Sequence, residues 1–279
     1  MSENDYKIEI LEGNVDNCEL SFKIIIIGDL GVGKSCLAIR NSKNIFDSIY
    51  QPTIGFDFIS YPIKINDHII KMQIWDTCGQ EVYRSLISSF YNNTSLAIIV
   101  YAIDNEQSFK NLEFWLNELR TKSNPDINIF LVGNKCDLEE NRQVSKKSGQ
   151  EFSQIHKIKL FMESSAKTGI NAHNIFIKAA KLLYEQYLKN NKSGMNENDP
   201  SRRINEYERS QSKQLEDVDI DDLLYTAKLF LDEGAAATGG TSIADKLPFM
   251  SCNPFDLSVQ LFNIYIESMI PENEEEEKN

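Results

Sequence analysis

The stretch Gly28-Asp-Leu-Gly-Val-Gly33-Lys34-Ser35 comes directly after the apolar run 23–27 and directly before a helical pattern. Buried strand, glycine-rich turn and helix in that order constrain this chain more than any other feature. The glycines let successive backbone N–H groups turn inward, and the N-terminus of the following helix adds about half a positive charge. Such a turn cradles phosphate, and its residues 30 to 36 (Leu30, Gly31, Val32, Gly33, Lys34, Ser35 and Cys36) are the expected phosphate contacts. Lys34 is placed to reach β- and γ-phosphates, and the Ser35 hydroxyl to ligate Mg²⁺. The plainer reading is a glycine-rich strand–helix turn with no ligand. The flanking elements favour the phosphate reading.

Around this loop the chain alternates short apolar runs with longer helical patterns. Strand-like runs fall at 21–27, 56–65, 69–75, 95–101, 127–132 and 159–162, several of them apolar throughout, as strands covered on both faces are. Asn66-Asp67 reads as a hairpin turn, which makes one strand antiparallel. Helical patterns fall at 34–41, 106–122, 145–156 and 171–189. The expected fold is α/β: a doubly wound, mostly parallel six-stranded sheet with helices on both faces.

Further motifs follow at strand ends, where α/β sheets bind ligands. Asp76-Thr-Cys-Gly79 closes the run 69–75: the carboxylate is placed to hold Mg²⁺ and Gly79 to offer its N–H to a γ-phosphate. The Gln80 amide comes next, able to orient an attacking water. Asn134-Lys135-Cys-Asp137 closes the run 127–132. A carboxylate there accepts from the guanine N1–H and exocyclic amine; adenine would leave it unpaired, and hydrogen-bonded sites reject such analogues strongly. Ser165-Ala166-Lys167 follows the last strand. Each motif alone is weak, and the four in order are strong together.

These segments resemble a small GTPase of the Ras superfamily, P-loop NTPase-type in fold, and within it the Rab family. Thr53-Ile-Gly-Phe-Asp-Phe58, Lys71-Met-Gln-Ile-Trp75, Tyr83-Arg-Ser-Leu-Ile-Ser-Ser-Phe-Tyr91 and Ile99-Val-Tyr-Ala-Ile-Asp104 carry the likeness, which covers about 20–189. It implies a switch that binds GTP or GDP with Mg²⁺, slowly hydrolyses GTP and regulates vesicle traffic. It further implies that the Thr53 hydroxyl joins Ser35 and Asp76 on Mg²⁺ and that Phe46 packs against the guanine. Asn134, Lys135 and Asp137 would read and flank the base, with Ser165, Ala166 and Lys167 closing over it. Effectors, exchange factors and GTPase-activating proteins would read the loops near 46–58 and 76–91. Thr53 as an ordinary loop threonine and Phe46 as a core aromatic are the simpler alternatives.

Three features depart from the family pattern. Leu30 stands where a small residue is usual, so crowding of Gln80 would impair hydrolysis, unless neighbouring loops make room. Cys78 stands where alanine is common. The third departure is the tail. The division expected is an extension at 1–19, the GTPase domain at 20–189, a polar linker at 190–218 and an acidic extension at 219–279.

Net charge is −13, from 29 basic and 42 acidic residues, and residues 190–279 hold 8 and 19 of these, a net of −11. That balance argues against unaided binding to nucleic acid or an anionic membrane. Two amphipathic patterns, 219–233 and 255–270, could dock on the domain, bind a partner in a groove, or remain solvated. Asn253-Pro254-Phe255 resembles the tripeptide that EH domains bind, though Asn-Pro also opens helices. Ser at position 2 and the final EEEEKN offer no lipid attachment, no run is long enough to span a bilayer, and the polar start is no signal peptide. Five scattered cysteines, none in CxxC spacing, suit a reducing compartment. The expected location is cytoplasmic, with peripheral endomembrane association through partners. The rival expectation is a GTP-binding module with impaired hydrolysis, acting as a scaffold through its tail.

Overall fold

The computed structural model describes residues 6–11, 15, 18–47, 56–77, 79, 91 and 93–192. The chain divides into two compact units, 1–53 with 57–206, and 54–56 with 207–279; of the second, only Phe56 is among the described residues. In chain order the described elements are β1 (Ile8–Ile10), β2 (Leu20–Ile27), α1 (Lys34–Lys43), β3 (Phe56–Ile65), β4 (His68–Thr77), β5 (Leu96–Ala102), α2 (Glu106–Lys110), α3 (Leu112–Lys122), β6 (Asn128–Asn134), a 3₁₀ turn (Glu139–Asn141), α4 (Lys146–Ile155), β7 (Leu160–Glu163) and α5 (Ala172–Lys192).

The strands form one sheet in the order β1-β3-β4-β2-β5-β6-β7. From β4 to β7 the pairing is parallel, with Ile24 opposite both Ile74 and Leu96. β3 and β4 are joined by Asn66-Asp67, with Asn66 left-handed at φ 55°; two residues can join only antiparallel neighbours. Alternation along the strands divides the core. Ile24, Ile26, Ile98, Val100, Phe130 and Val132 pack with Leu37 and Ala38 of α1 and Ile175, Phe176 and Ala179 of α5. Their neighbours Ile25, Ile27, Ala97 and Ile99 face the other side, where Trp115, Leu116 and Leu119 of α3 are also buried. Strands buried on both faces explain the nearly unbroken apolar runs.

Two elements differ from the sequence reading. The helical pattern 106–122 is two helices, with Asn111 closing α2 and preceding α3. A seventh strand, β1, lies in the segment read as an extension and pairs antiparallel with β3, Ile8 opposite Ile65. Three residues are too few to show a period, so partner contacts define it. Lys7 donates to the Asn66 side chain at 3.1 Å, Asn66 donates back to the Lys7 carbonyl at 2.8 Å, and the Tyr6 ring meets Tyr184 edge-on at 5.6 Å. The tail patterns 219–233 and 255–270 and the tripeptide Asn253-Pro254-Phe255 lie outside the described residues.

Candidate functional site

β2 is the point where the connections part: the next strands in the chain lie on one side of it and β5 on the other. In a doubly wound sheet the crevice beyond such a strand is where ligands bind, and Gly28–Ser35 occupies it. Gly33 sits left-handed at φ 92° as the N-cap of α1 and brings no side-chain cap, so the first turn of α1 opens toward the loop. Lys34 is buried and folds back, its Nζ donating to the carbonyls of Gly28 and Asp29 at 2.9 Å each. That arrangement holds a cation in the concavity of the loop.

A pocket opens there, lined by Leu30, Gly31, Gly33, Lys34, Ser35, Cys36, Thr77 and Gly79. Gly79 packs tightly: a Cβ on it would come within 2.5 Å of Leu30 N and 2.6 Å of Lys34 Nζ. Thr77 is fixed by donating its hydroxyl to the Ile26 carbonyl at 2.8 Å. Asp76 is buried at the end of β4. The register sets Asp76 opposite Ile26 of β2, two residues before Gly28; burial raises the Cys36 thiol pKa, and the Asp76 charge raises it further. Ser35 and Asp76 supply a hydroxyl and a carboxylate, the hard oxygen donors that suit Mg²⁺. Leu30 lines the pocket with 45% of its surface exposed.

The second half of the site lies at the ends of β6 and β7. Buried Asn134 donates to the Val32 carbonyl at 2.9 Å and accepts from the Ser164 hydroxyl at 3.2 Å and the Ala166 N–H at 3.3 Å. One amide therefore ties the glycine-rich loop to the last loop of the sheet. Lys135, left-handed at φ 64°, pairs with Asp104 at 3.6 Å. Asp137 accepts from the Ser165 hydroxyl at 2.6 Å, and that same hydroxyl accepts from Thr168 N–H at 3.0 Å.

Arg40 carries no motif, yet it frames this half. It donates to the carbonyls of Ala166 at 2.7 Å and Lys167 at 2.6 Å, and its guanidinium lies 6.0 Å from the Phe46 ring centroid. Phe46 is half-buried and packs on the core. The described residues read from the sequence thus gather into two clusters joined through Asn134. Thr53, Gln80 and Cys78 lie outside the described residues. The sequence reading missed Arg40 and the pair Asn111 and Trp115, whose spacing of four across the start of α3 was the available signal.

Among the described residues no helix is long and apolar enough to cross a membrane. Residues 23–185, more than half of the chain, match the protein-family model described as the Ras family.

Proposed function

The chain belongs to the Ras family of GTP-binding small GTPase switches, and we propose that it is a Rab-like regulator of vesicle traffic that binds GTP through the two clusters above and hydrolyses it slowly. The observation that carries the site assignment is Asn134, whose side chain joins the phosphate loop, 102 residues earlier, to the Ser164–Ala166 loop. Phosphate cradle and base pocket are then two ends of one nucleotide site.

Backbone N–H groups of residues 30–36 take the phosphates, and Lys34 neutralises the β and γ groups. Mg²⁺ held by Ser35, Asp76 and Thr53 would screen the charge on the phosphate oxygens. Asp137 reads the guanine edge, held by the Ser165 hydroxyl, while Asn134 and Lys135 brace the pocket and Phe46 covers the base. Gln80 orients water toward the γ-phosphate, and Thr53 and Gly79 sense that group. Its loss releases the loops around 46–58 and 76–91, which is what effectors, exchange factors and activating proteins distinguish. The protein works in the cytoplasm and meets endomembranes through partners.

The exposed Leu30 at the pocket wall favours a second reading, in which GTP binds but turns over poorly and the tail acts as a scaffold. Chromatography of the nucleotide released from freshly purified full-length chain decides between them. GDP supports the switch, GTP supports the scaffold, and absence of any guanine nucleotide refutes both. Replacing Leu30→Ser should then speed single turnover; an unchanged rate removes Leu30 from the argument.

A further inference from the structure

Asp29, the second residue of the phosphate loop, has no part in the scheme above. A carboxylate beside bound phosphates is unfavourable unless its charge is directed elsewhere. Here it is gripped from the start of α3, by the N-cap residue Asn111 and by Trp115. Asn111 Nδ2 donates to Oδ2 at 2.6 Å and Trp115 Nε1 donates to Oδ1 at 2.7 Å, so each oxygen has a donor from more than 80 residues away. Asn111 and Trp115 are four positions apart at the start of α3 and stand on the same face. The Trp115 ring is fully buried, and Gln107 donates to Asn111 Oδ1 at 2.9 Å, leaving the amide nitrogen for Asp29.

The backbone of the same residue faces the pocket. The Asp29 carbonyl accepts from Lys34 Nζ at 2.9 Å, and the Asp29–Leu30 peptide is the surface that Gly79 packs against. One peptide plane therefore touches the phosphate lysine and the Gly79 backbone, while its side chain is anchored to α3. Charge-assisted hydrogen bonds to a carboxylate are among the stronger polar contacts, and two of them fix a plane in orientation as well as in place.

We propose that Asp29, Asn111 and Trp115 are positioning residues that hold the Asp29–Leu30 peptide in register with the β- and γ-phosphates. The inference rests on the guanine-nucleotide reading of the site and deepens it: phosphate grip depends on α3, and base recognition does not.

The test uses nucleotide-free full-length chain and titration with GDP and with GMP, which lacks the β-phosphate. Asp29→Ala and Trp115→Phe, the latter keeping the ring and losing the donor, should each weaken GDP about tenfold or more while changing GMP less than about twofold. In the Asp29→Ala background, Trp115→Phe should add less than about twofold, because both act through one carboxylate. If the Trp115 variant fails to fold, Asn111→Ala removes the other donor from the helix end without opening the core, with the same expected split. Equal weakening of GDP and GMP, full additivity, or an unchanged GDP affinity overturns the clamp. Wild-type chain that binds neither nucleotide refutes the site reading itself, a separate outcome.

Discussion

Lys23 sits within β2 with its ammonium 4.7 Å from the Trp75 ring centroid. Burial pushes its pKa down to about 8 from 10.5, more than the aromatic face compensates. Below pH 8 the folded chain must carry a charge that burial opposes. Between pH 8 and 10.5 the unfolded chain binds the extra proton, so this group makes stability rise with pH across that window. Lys23→Met should raise the urea midpoint at pH 7, and the difference should shrink toward pH 10.5; equal midpoints at pH 7 would contradict the desolvated ammonium. Within the candidate site, Asp137 holds the Ser165 hydroxyl at 2.6 Å. Asp137→Asn turns an acceptor into a donor, so preference should move from guanine to xanthine nucleotides by at least about a hundredfold in the affinity ratio, read by competition binding. Lys34 and Asp137 were legible in the sequence because strand and loop context surrounds each one locally. Asp29 and Arg40 were not, because their partners lie more than 80 residues away and no local pattern announces them.

At the level of elements, α1 does two jobs with different chemistry. Its first turn presents Lys34 and Ser35 to the pocket, and its inner face buries Leu37 and Ala38 in the core. Asn41 on the same helix is only 2% exposed, and neither its amide nitrogen nor its oxygen has a hydrogen-bond partner. It lines a cavity with Tyr61 and His173, and the Tyr61 hydroxyl and His173 Nδ1 are also without partners. A buried amide left unsatisfied costs about 1–3 kcal/mol, and leucine has the same branching, can expand into the cavity and is a better helix former. Asn41→Leu should therefore stabilise the chain by about that amount, seen as a Tm about 2–4 °C higher per kcal/mol in a scan of the GDP-loaded protein. A lower Tm would mean that the amide has partners in solution, water included. Such mismatches are invisible to pattern reading, which rewards an asparagine near a helix end. The same reading placed each strand of the parallel core within two residues at either end, because two-sided burial writes itself as an apolar run. It ran α2 into α3, since Asn111 interrupts the helix without interrupting its apolar spacing.

Across the whole molecule, the site and the N-terminal strand occupy opposite ends of the sheet. The candidate site gathers at the C-terminal ends of β2, β4, β6 and β7, whereas β1 pairs with Ile63–Ile65 of β3, beside the turn that leads into the start of β4. β1 is held by its ladder with β3, by the Lys7–Asn66 exchange, by the Leu11 N–H to the Pro62 carbonyl at 3.1 Å and by the Tyr6–Tyr184 contact. Ile8 adds a partly buried side chain to the core. These contacts run to β3, to the turn after it and to α5. Deleting residues 1–11 should lower the Tm by about 4–8 °C, the equivalent of about 2 kcal/mol in a domain of this size. It should change GDP affinity less than about twofold. It also bares the backbone of β3 along 62–66, and an unpaired edge invites pairing between chains. Sizing chromatography of the deletion should then show more concentration-dependent self-association than the intact chain does. A deletion that stays monomeric at unchanged Tm would show that β1 contributes no stability. One that loses GDP would show that the far edge of the sheet supports the site, against the separation of strand and site seen here.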